Sequence, residues 1–268
     1  MDSIPVYWIN LERDVERRTQ RLGEFSTHGI RHTRIEGILH TSPKIGCCLS
    51  HIHAIYTAYR DGCEYAIIAE DDAVWYSDTL QNIRTLVHSA NITVPNWDVL
   101  QLHYINPQLL VSMMTIPSVL QTNVFLKGYF MSGAGYLICR KGIKRFLHTM
   151  VRMHSNTYEV RVSLDHPRAA AEELIYRYLQ SYCSLLPVIN VLEMGYSNIA
   201  EDPNQVGWNT ENMILVNYMF ARWKESPVSY SASFVYELPY DQHWHTTSEE
   251  ADATVYAIEK LIKQPKTV

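Results

Sequence analysis

Residues 65–72 read YAIIAEDD: the apolar run Tyr65-Ala66-Ile67-Ile68-Ala69 is followed at once by Glu70, Asp71 and Asp72. A compact apolar run of this length is the pattern of a strand buried on both faces, as in a parallel sheet covered by helices. The acids then stand at the strand's C-terminal end, where open α/β sheets bind their ligands. One short stretch therefore predicts both a fold class and the position of a site.

The sequence on either side supports that reading. Upstream, Pro5 to Leu11 (PVYWINL) reads as a strand, the charged ERDVERR as the loop and helix after it, and HTRIEGI as a second strand ended by Gly37. Leu49, Ile52, Ile55, Ala58 and Tyr59 recur at helical spacing, and Asp61-Gly62 stops that helix. Downstream, Trp97 to Tyr104 and Ala134 to Cys139 are predicted strands, Lys141 to Arg152 and Pro167 to Leu179 predicted helices, and Leu185 to Leu192 an extended segment. Strands alternating with helices predict an α/β fold with a mostly parallel central sheet. From about residue 200 the texture changes: EDPNQVGWNTEN is turn-rich, SYSASFVYELPYDQHWHTT is aromatic and irregular, and Ser248-Glu249-Glu250 is expected to cap a last amphipathic helix. Residues 1–199 are thus expected to form the main domain, with 200–268 an extension packed on it.

Composition narrows the class. The 268 residues are 47% hydrophobic, enough for a substantial core, and the net charge of −5 with intermixed signs argues against a general nucleic-acid binder. No apolar stretch approaches the ~20 residues needed to cross a bilayer, and Met1-Asp2-Ser3 runs straight into the first predicted strand, so a cytoplasmic protein is expected. Five cysteines, two of them adjacent at Cys47-Cys48, suggest neither a disulfide framework nor a CxxC zinc pair; the adjacent two read as small packing residues. The last helix and the aromatic tail are candidates for a homodimer surface.

The three acids carry the sharpest chemical signal. Unit charges about 4 Å apart repel by roughly 1 to 4 kcal/mol, more where water is excluded, so something must offset them. A divalent cation does so, and oxygen ligands point to Mg²⁺ or Mn²⁺ held by one or two carboxylates and completed by substrate phosphates. The competing reading is a solvated turn or helix cap; the buried run before the acids and Ala73-Val74-Trp75-Tyr76 after them weigh against it. If strand geometry continues, Glu70 and Asp72 share one side and Asp71 takes the other. Either side is within reach of a metal.

INLERDVERR, RIEGI, GCCLSHIHAI, AIIAEDDAVW with WDVLQL after it, and SGAGYLICRKGIKRFL together resemble, in order and spacing, glycosyltransferase family 25, which contains lipooligosaccharide and collagen galactosyltransferases. The resemblance spans roughly residues 4 to 199. It implies a GT-A-type, Rossmann-like fold, a UDP-sugar donor, dependence on Mn²⁺ or Mg²⁺, inversion at the anomeric carbon, and a role such as lipopolysaccharide biosynthesis. It further implies that Ile9, Asn10 and Leu11 line the nucleotide pocket with Arg13 and Arg17 near it, and that Glu36 and Gly37 meet the base and ribose. Gly46, Ser50 and His51 fall in the family's GC-x-x-SH element, Glu70 with Asp72 in its metal and diphosphate motif, and Ser132, Gly133 and Ala134 beside the donor sugar. Asp71 is counted with the donor-binding residues.

Each assignment has a plainer counterpart. Arg13, Arg17 and Arg18 also read as a solvated helix face, His51 as a structural histidine, and Ser50 as a cap. Inverting transfer needs a base for the acceptor hydroxyl; by the resemblance it opens a late helix, which makes Glu172 or Glu173 the candidate and Asp165 the competitor. His243 and His245, flanking Trp244, are candidates to close over the site, His245 as a further metal ligand. The sequence departs from the family in having Glu at the late helix and Ser197-Asn198-Ile199 where the family has Ser-Asp-Ile. The expected function is transfer of a hexose, galactose or glucose favoured, from UDP to a hydroxyl of a glycan, glycolipid or protein. Two alternatives stand beside it: a nucleotide-sugar-binding protein without turnover, and a metal-dependent nucleotidyltransferase.

Overall fold

The computed structural model describes residues 4–164, 170–192, 203–225, 229–238 and 246–264. Strand β1 (Val6–Asn10) opens the fold, and its side chains alternate between two cores, as a strand buried on both faces requires. Tyr7 joins Ile52, Ile55 and Ile68 on one face, while Val6 and Trp8 join Phe25, Ile67 and Leu86 on the other. Helix α1 (Val15–Thr27), strand β2 (His32–Glu36), helix α2 (Pro43–Arg60) and strand β3 (Tyr65–Glu70) follow, with β2 and β3 both parallel to β1. Then come β4 (Ala73–Val74), α3 (Thr79–Thr93), β5 (Val99–Gln101), α4 (Pro107–Met114), α5 (Pro117–Leu120) and β6 (Thr122–Lys127). The order continues with β7 (Gly135–Cys139), α6 (Arg140–Met150), the hairpin of β8 (Val151–Met153) and β9 (Tyr158–Val160), and α7 (Ala171–Tyr176). It ends with β10 (Ser181–Ser184), β11 (Asn190–Val191), α8 (Pro203–Glu225), β12 (Ser229–Glu237) and α9 (Ser248–Lys263).

Eight strands form one sheet in the order β12-β6-β10-β5-β7-β3-β1-β2. Four of its seven pairings are parallel, so the fold is α/β with a mostly parallel mixed sheet. Strand β7 runs against both neighbours, pairing Ala69 with Gly135 and Gln101 with Tyr136. Because it is reversed, β7 starts where β3 ends, and the residues just before it lie beside the acids. Helices α2, α6 and α7 cover one face of the sheet and α1 and α3 the other. Each fully buried aliphatic side chain in these cores contributes about 1.5–3 kcal/mol.

Several segments differ from the sequence-based expectation. Helix α2 begins six residues before Leu49, because Pro43 is preset for the first helical turn. The strand nearest the predicted extended segment 185–192 lies earlier, as β10 in the polar-looking SYCS, and Pro187, which lacks an N–H, sits in the gap before β11. Helix α7 stops at Tyr176 rather than Leu179. The turn-rich stretch after residue 200 is largely helix α8, held by burial of Met213, Val216 and Met219, so packing overrides its weak local pattern. Part of the irregular aromatic tail is β12, which adds an edge to the central sheet. The last helix is capped by Thr247, one residue earlier than expected, through a capping box with Glu250. Its Ala251, Val255 and Ile258 are buried, Val255 and Ile258 in the core that α4 shares, and Tyr256 is exposed. No helix among the described residues is long and apolar enough to cross a membrane.

Candidate active site

The C-terminal ends of β1 and β3 lie side by side, with Ile9 paired to Glu70. The loops after β1 and β2, the first turns of α2 and the acid turn enclose a cleft of about 240 Å³, bordered by Arg13, Arg17, Cys47, His51, Glu70 and Asp72. Ile9, Leu11, Gly37, Gly46, Ser50 and Asp71 also border it. Its floor is fixed by the β-α-β crossovers and its roof by α2.

The three acids separate because β3 ends at Glu70 and the chain turns at Asp71 and Asp72. Asp71 is buried and fully engaged: its Oδ2 accepts from Asn10 Nδ2 at 2.7 Å and its Oδ1 from Arg17 at 3.1 Å. Burial pushes its carboxyl up, against the opposing pull of these two partners. Asn10 is spent on the same bracket, since it also donates to the Asp14 carbonyl and accepts from Arg34 Nε at 3.0 Å. Asp72 Oδ1, by contrast, is buried with no hydrogen-bond partner, and burial together with Glu70 and Asp71 lifts this carboxyl to about 7. Glu70 turns toward α2, its Oε1 3.2 Å from His51 Nε2 and 3.9 Å from Cys47 Sγ. His51 Nδ1 lies 3.1 Å from the Tyr136 hydroxyl.

The residues expected near the donor sugar meet this cluster from the far side. Ala134 accepts from the Glu70 N–H at 3.0 Å, and a Cβ on Gly133 would stand 3.2 Å from Glu70 Oε1 and 3.5 Å from His51 Nε2. Glycine is what lets the loop approach. Ser132 adopts φ 135°, a glycine-like conformation that costs on the order of 1–3 kcal/mol. It is held there by Gln101 and Tyr176, which donate to its carbonyl, and by His103, whose Nδ1 lies 2.8 Å from its Oγ.

Other expected residues sit at the rim or serve as scaffold. Ser50 Oγ accepts from the Ile38 N–H and donates to the Gly46 carbonyl, so it clamps the loop after β2 onto α2. A Cβ at Gly46 would lie 2.5 Å from the Ile38 carbonyl oxygen. Glu36 is exposed at the end of β2, beside a shallow depression next to the cleft. Arg13 is largely exposed at the cleft's edge, and Arg18 pairs with Glu12. Glu172 stands near enough to Glu70 and His51 for their charges to act on it, and burial raises its carboxyl. Glu173 is tied elsewhere, to the Tyr129 hydroxyl at 3.1 Å and to Arg177. Asp165, His243, Trp244, His245 and the 197–199 segment lie outside the described residues.

Sequence reading missed three contributors. His103 is buried with Nε2 unpartnered, and desolvation lowers it to about 4, so it is neutral. Its place just past the end of β5 is the signal that would have found it. Arg21 is fully buried, bonded to Glu24 and to the Ala73 carbonyl, and its spacing on α1 gave no hint. Cys47, read as packing, stands beside Glu70.

Among known families, the model for glycosyltransferase family 25 (LPS biosynthesis protein) matches residues 39–162. Over that stretch, a little less than half of the chain, the sequence is similar to glycosyltransferase family 25. The matched residues hold the GCCLSH turn of α2, the acid turn and the Ser132–Ala134 loop, which the structure brings together. Asn10, Arg17 and Glu172 come from outside them. The family indicates a glycosyltransferase. No curated protein matches the chain.

Proposed function

We propose that the chain is a cation-dependent, inverting glycosyltransferase of GT-A type that moves a hexose, galactose or glucose, from UDP to a hydroxyl of a glycan, glycolipid or protein. The observation that carries this reading is Asp72: a buried carboxylate oxygen without a partner, at a strand's C-terminal end, beside a second carboxylate that borders the same cleft. Such an oxygen suits a hard cation, and Glu70 and Asp72 are the residues that would hold Mn²⁺ or Mg²⁺. When bound, that ion would stabilise charge on the departing diphosphate.

The chain's own residues supply the rest. Arg13 and Arg17 border the cleft where phosphates would lie, and Arg17 is anchored by Asp71. By the family resemblance, the loop of Ser132 and Gly133, packed against Glu70, would lie beside the donor sugar. Glu172 is the proposed base: burial raises its carboxyl toward working pH, which suits a group that accepts the proton of the attacking hydroxyl. The hydroxyl oxygen bonds to the anomeric carbon from the face opposite UDP, its proton passes to Glu172, and UDP leaves with the electrons of the broken bond.

A panel of UDP-sugars incubated with the protein and Mn²⁺, with free UDP as the product measured, tests this. Slow release of UDP from at least one sugar even without acceptor is expected. Neither binding nor turnover across the panel would refute the proposal, and release of pyrophosphate instead of UDP would point to nucleotidyl transfer.

A further inference from the structure

We propose that Cys47, His51 and Glu70 form a second metal site, selective for zinc, that competes with the donor's cation for Glu70. The competition rests on the role given to Glu70 above; the site itself does not. Cys47 and His51 are four residues apart on α2, so they share one face one turn apart, and Glu70 reaches that face from the end of β3. Their ligand atoms all lie within 4.8 Å of one another.

Geometry favours zinc over the hard cations. Zn–S of about 2.3 Å, Zn–N of about 2.0–2.1 Å and Zn–O of about 2.0–2.2 Å place tetrahedral ligand atoms roughly 3.3–3.7 Å apart. The nitrogen–oxygen separation is 3.2 Å, the sulfur–oxygen separation 3.9 Å and the sulfur–nitrogen separation within 4.8 Å, so a rotation of the Cys47 side chain toward His51 and Glu70 completes the triangle. Mixed sulfur, nitrogen and oxygen donors suit Zn²⁺ and not Mg²⁺ or Mn²⁺. The buried hydroxyl of Tyr136 beside Nδ1 holds the imidazole with Nε2 aimed at the cluster, the orienting contact that metal-ligating histidines ordinarily have. That hydroxyl can donate to Nδ1 or accept from it, so either tautomer is satisfied. Binding forms a zinc–sulfur bond and sends one proton from the thiol to solvent, while the imidazole proton sits on Nδ1. Cys47, His51 and Glu70 all border the cleft, which leaves the fourth ligand position facing it.

Cobalt(II) titration of the metal-free full chain tests the site through the thiolate-to-cobalt absorption. One equivalent should develop the band in the wild type, zinc should bleach it, and Mn²⁺ should not produce it. Cys47→Ser should abolish the band, and Tyr136→Phe should weaken binding by on the order of 10–100-fold. A wild type without the band, or a band that survives in Cys47→Ser, overturns the site. In the UDP-release assay, micromolar zinc should suppress the Mn²⁺-supported rate of the wild type while Cys47→Ser loses this sensitivity. If the band forms and zinc leaves turnover unchanged, competition at Glu70 is wrong. If the chain releases no UDP from any sugar, the proposed function fails, and the cobalt titration still decides the site.

Discussion

Replacing Asp72 by Asn should make the metal-free protein more stable while removing its activity. The charged form of Asp72 is disfavoured by burial first and by Glu70 and Asp71 next, which lifts its carboxyl from 3.8 to about 7. An acid raised in the folded state holds its proton more tightly there than in the unfolded chain. Its destabilising contribution is therefore absent below the unfolded value, grows as pH rises through the interval, and is complete above the folded value. At about 1.4 kcal/mol per unit, the difference amounts to roughly 1.5 kcal/mol at pH 5 and about 4 kcal/mol at pH 8. Asparagine carries no charge to bury and so escapes this cost. For a chain of this size about 2–4 °C accompanies each kcal/mol. The Asp72→Asn variant should then melt roughly 3–6 °C above the wild type at pH 5 and about 8–16 °C above it at pH 8, with chelator present. Mn²⁺ should raise the wild-type melting temperature by mass action and leave the variant nearly unmoved. Thermal melts at the two pH values, with chelator and with Mn²⁺, measure all of this alongside UDP release. A variant that melts below the wild type at pH 8, or a difference that does not grow with pH, would refute the reasoning.

Other substitutions separate chemistry from scaffold. Glu172→Gln should lower kcat by on the order of 10²–10⁴ with little change in donor KM, whereas Glu173→Gln, which disturbs the contacts with Tyr129 and Arg177, should act on the melting temperature; steady-state kinetics beside melts distinguish them. Gly46→Ala forces a methyl group against the Ile38 carbonyl and should cost about 1–3 kcal/mol in denaturant unfolding. Ser50→Ala leaves the part-buried Ile38 N–H short of a partner, costing about 1–3 kcal/mol. By loosening the loop after β2 it should also raise donor KM more than it lowers kcat.

The parts of the fold legible in the sequence were those whose burial alternates or runs unbroken. PVYWINL and YAIIA declared β1 and β3 because both faces of the sheet are covered there. SYCS did not declare β10, because a strand with serines inside a sheet is held by its neighbours and by local bonds such as that of Ser181 Oγ to the Tyr176 carbonyl. Reversal of β7 was equally hidden, since pairing direction depends on where residues 128–134 carry the chain. Within the site, the acids, the GCCLSH turn and the SGA loop were legible as ordered blocks. The distribution of work among them was not. Ser50 and Asn10 are scaffold, His103 was marked only by its place just past the end of β5, and Arg21 enters the site by position in space, which no spacing along the chain encodes.

Three consecutive acids can share one turn only because the middle one is neutralised from elsewhere in the chain. Asp71 is buried against Asn10 and the part-buried Arg17, so removing either partner leaves a buried carboxylate less well compensated. Both partners precede residue 39, outside the stretch that matches the family, and so does β1, which lies between β2 and β3 in the sheet. The matched stretch therefore holds the acids but not the partners of the middle one. With Asp71 compensated, Glu70 and Asp72 are left facing the cleft with less charge to be offset. The first strand and helix thus set the electrostatics of a motif that lies 54 residues beyond Arg17 along the chain.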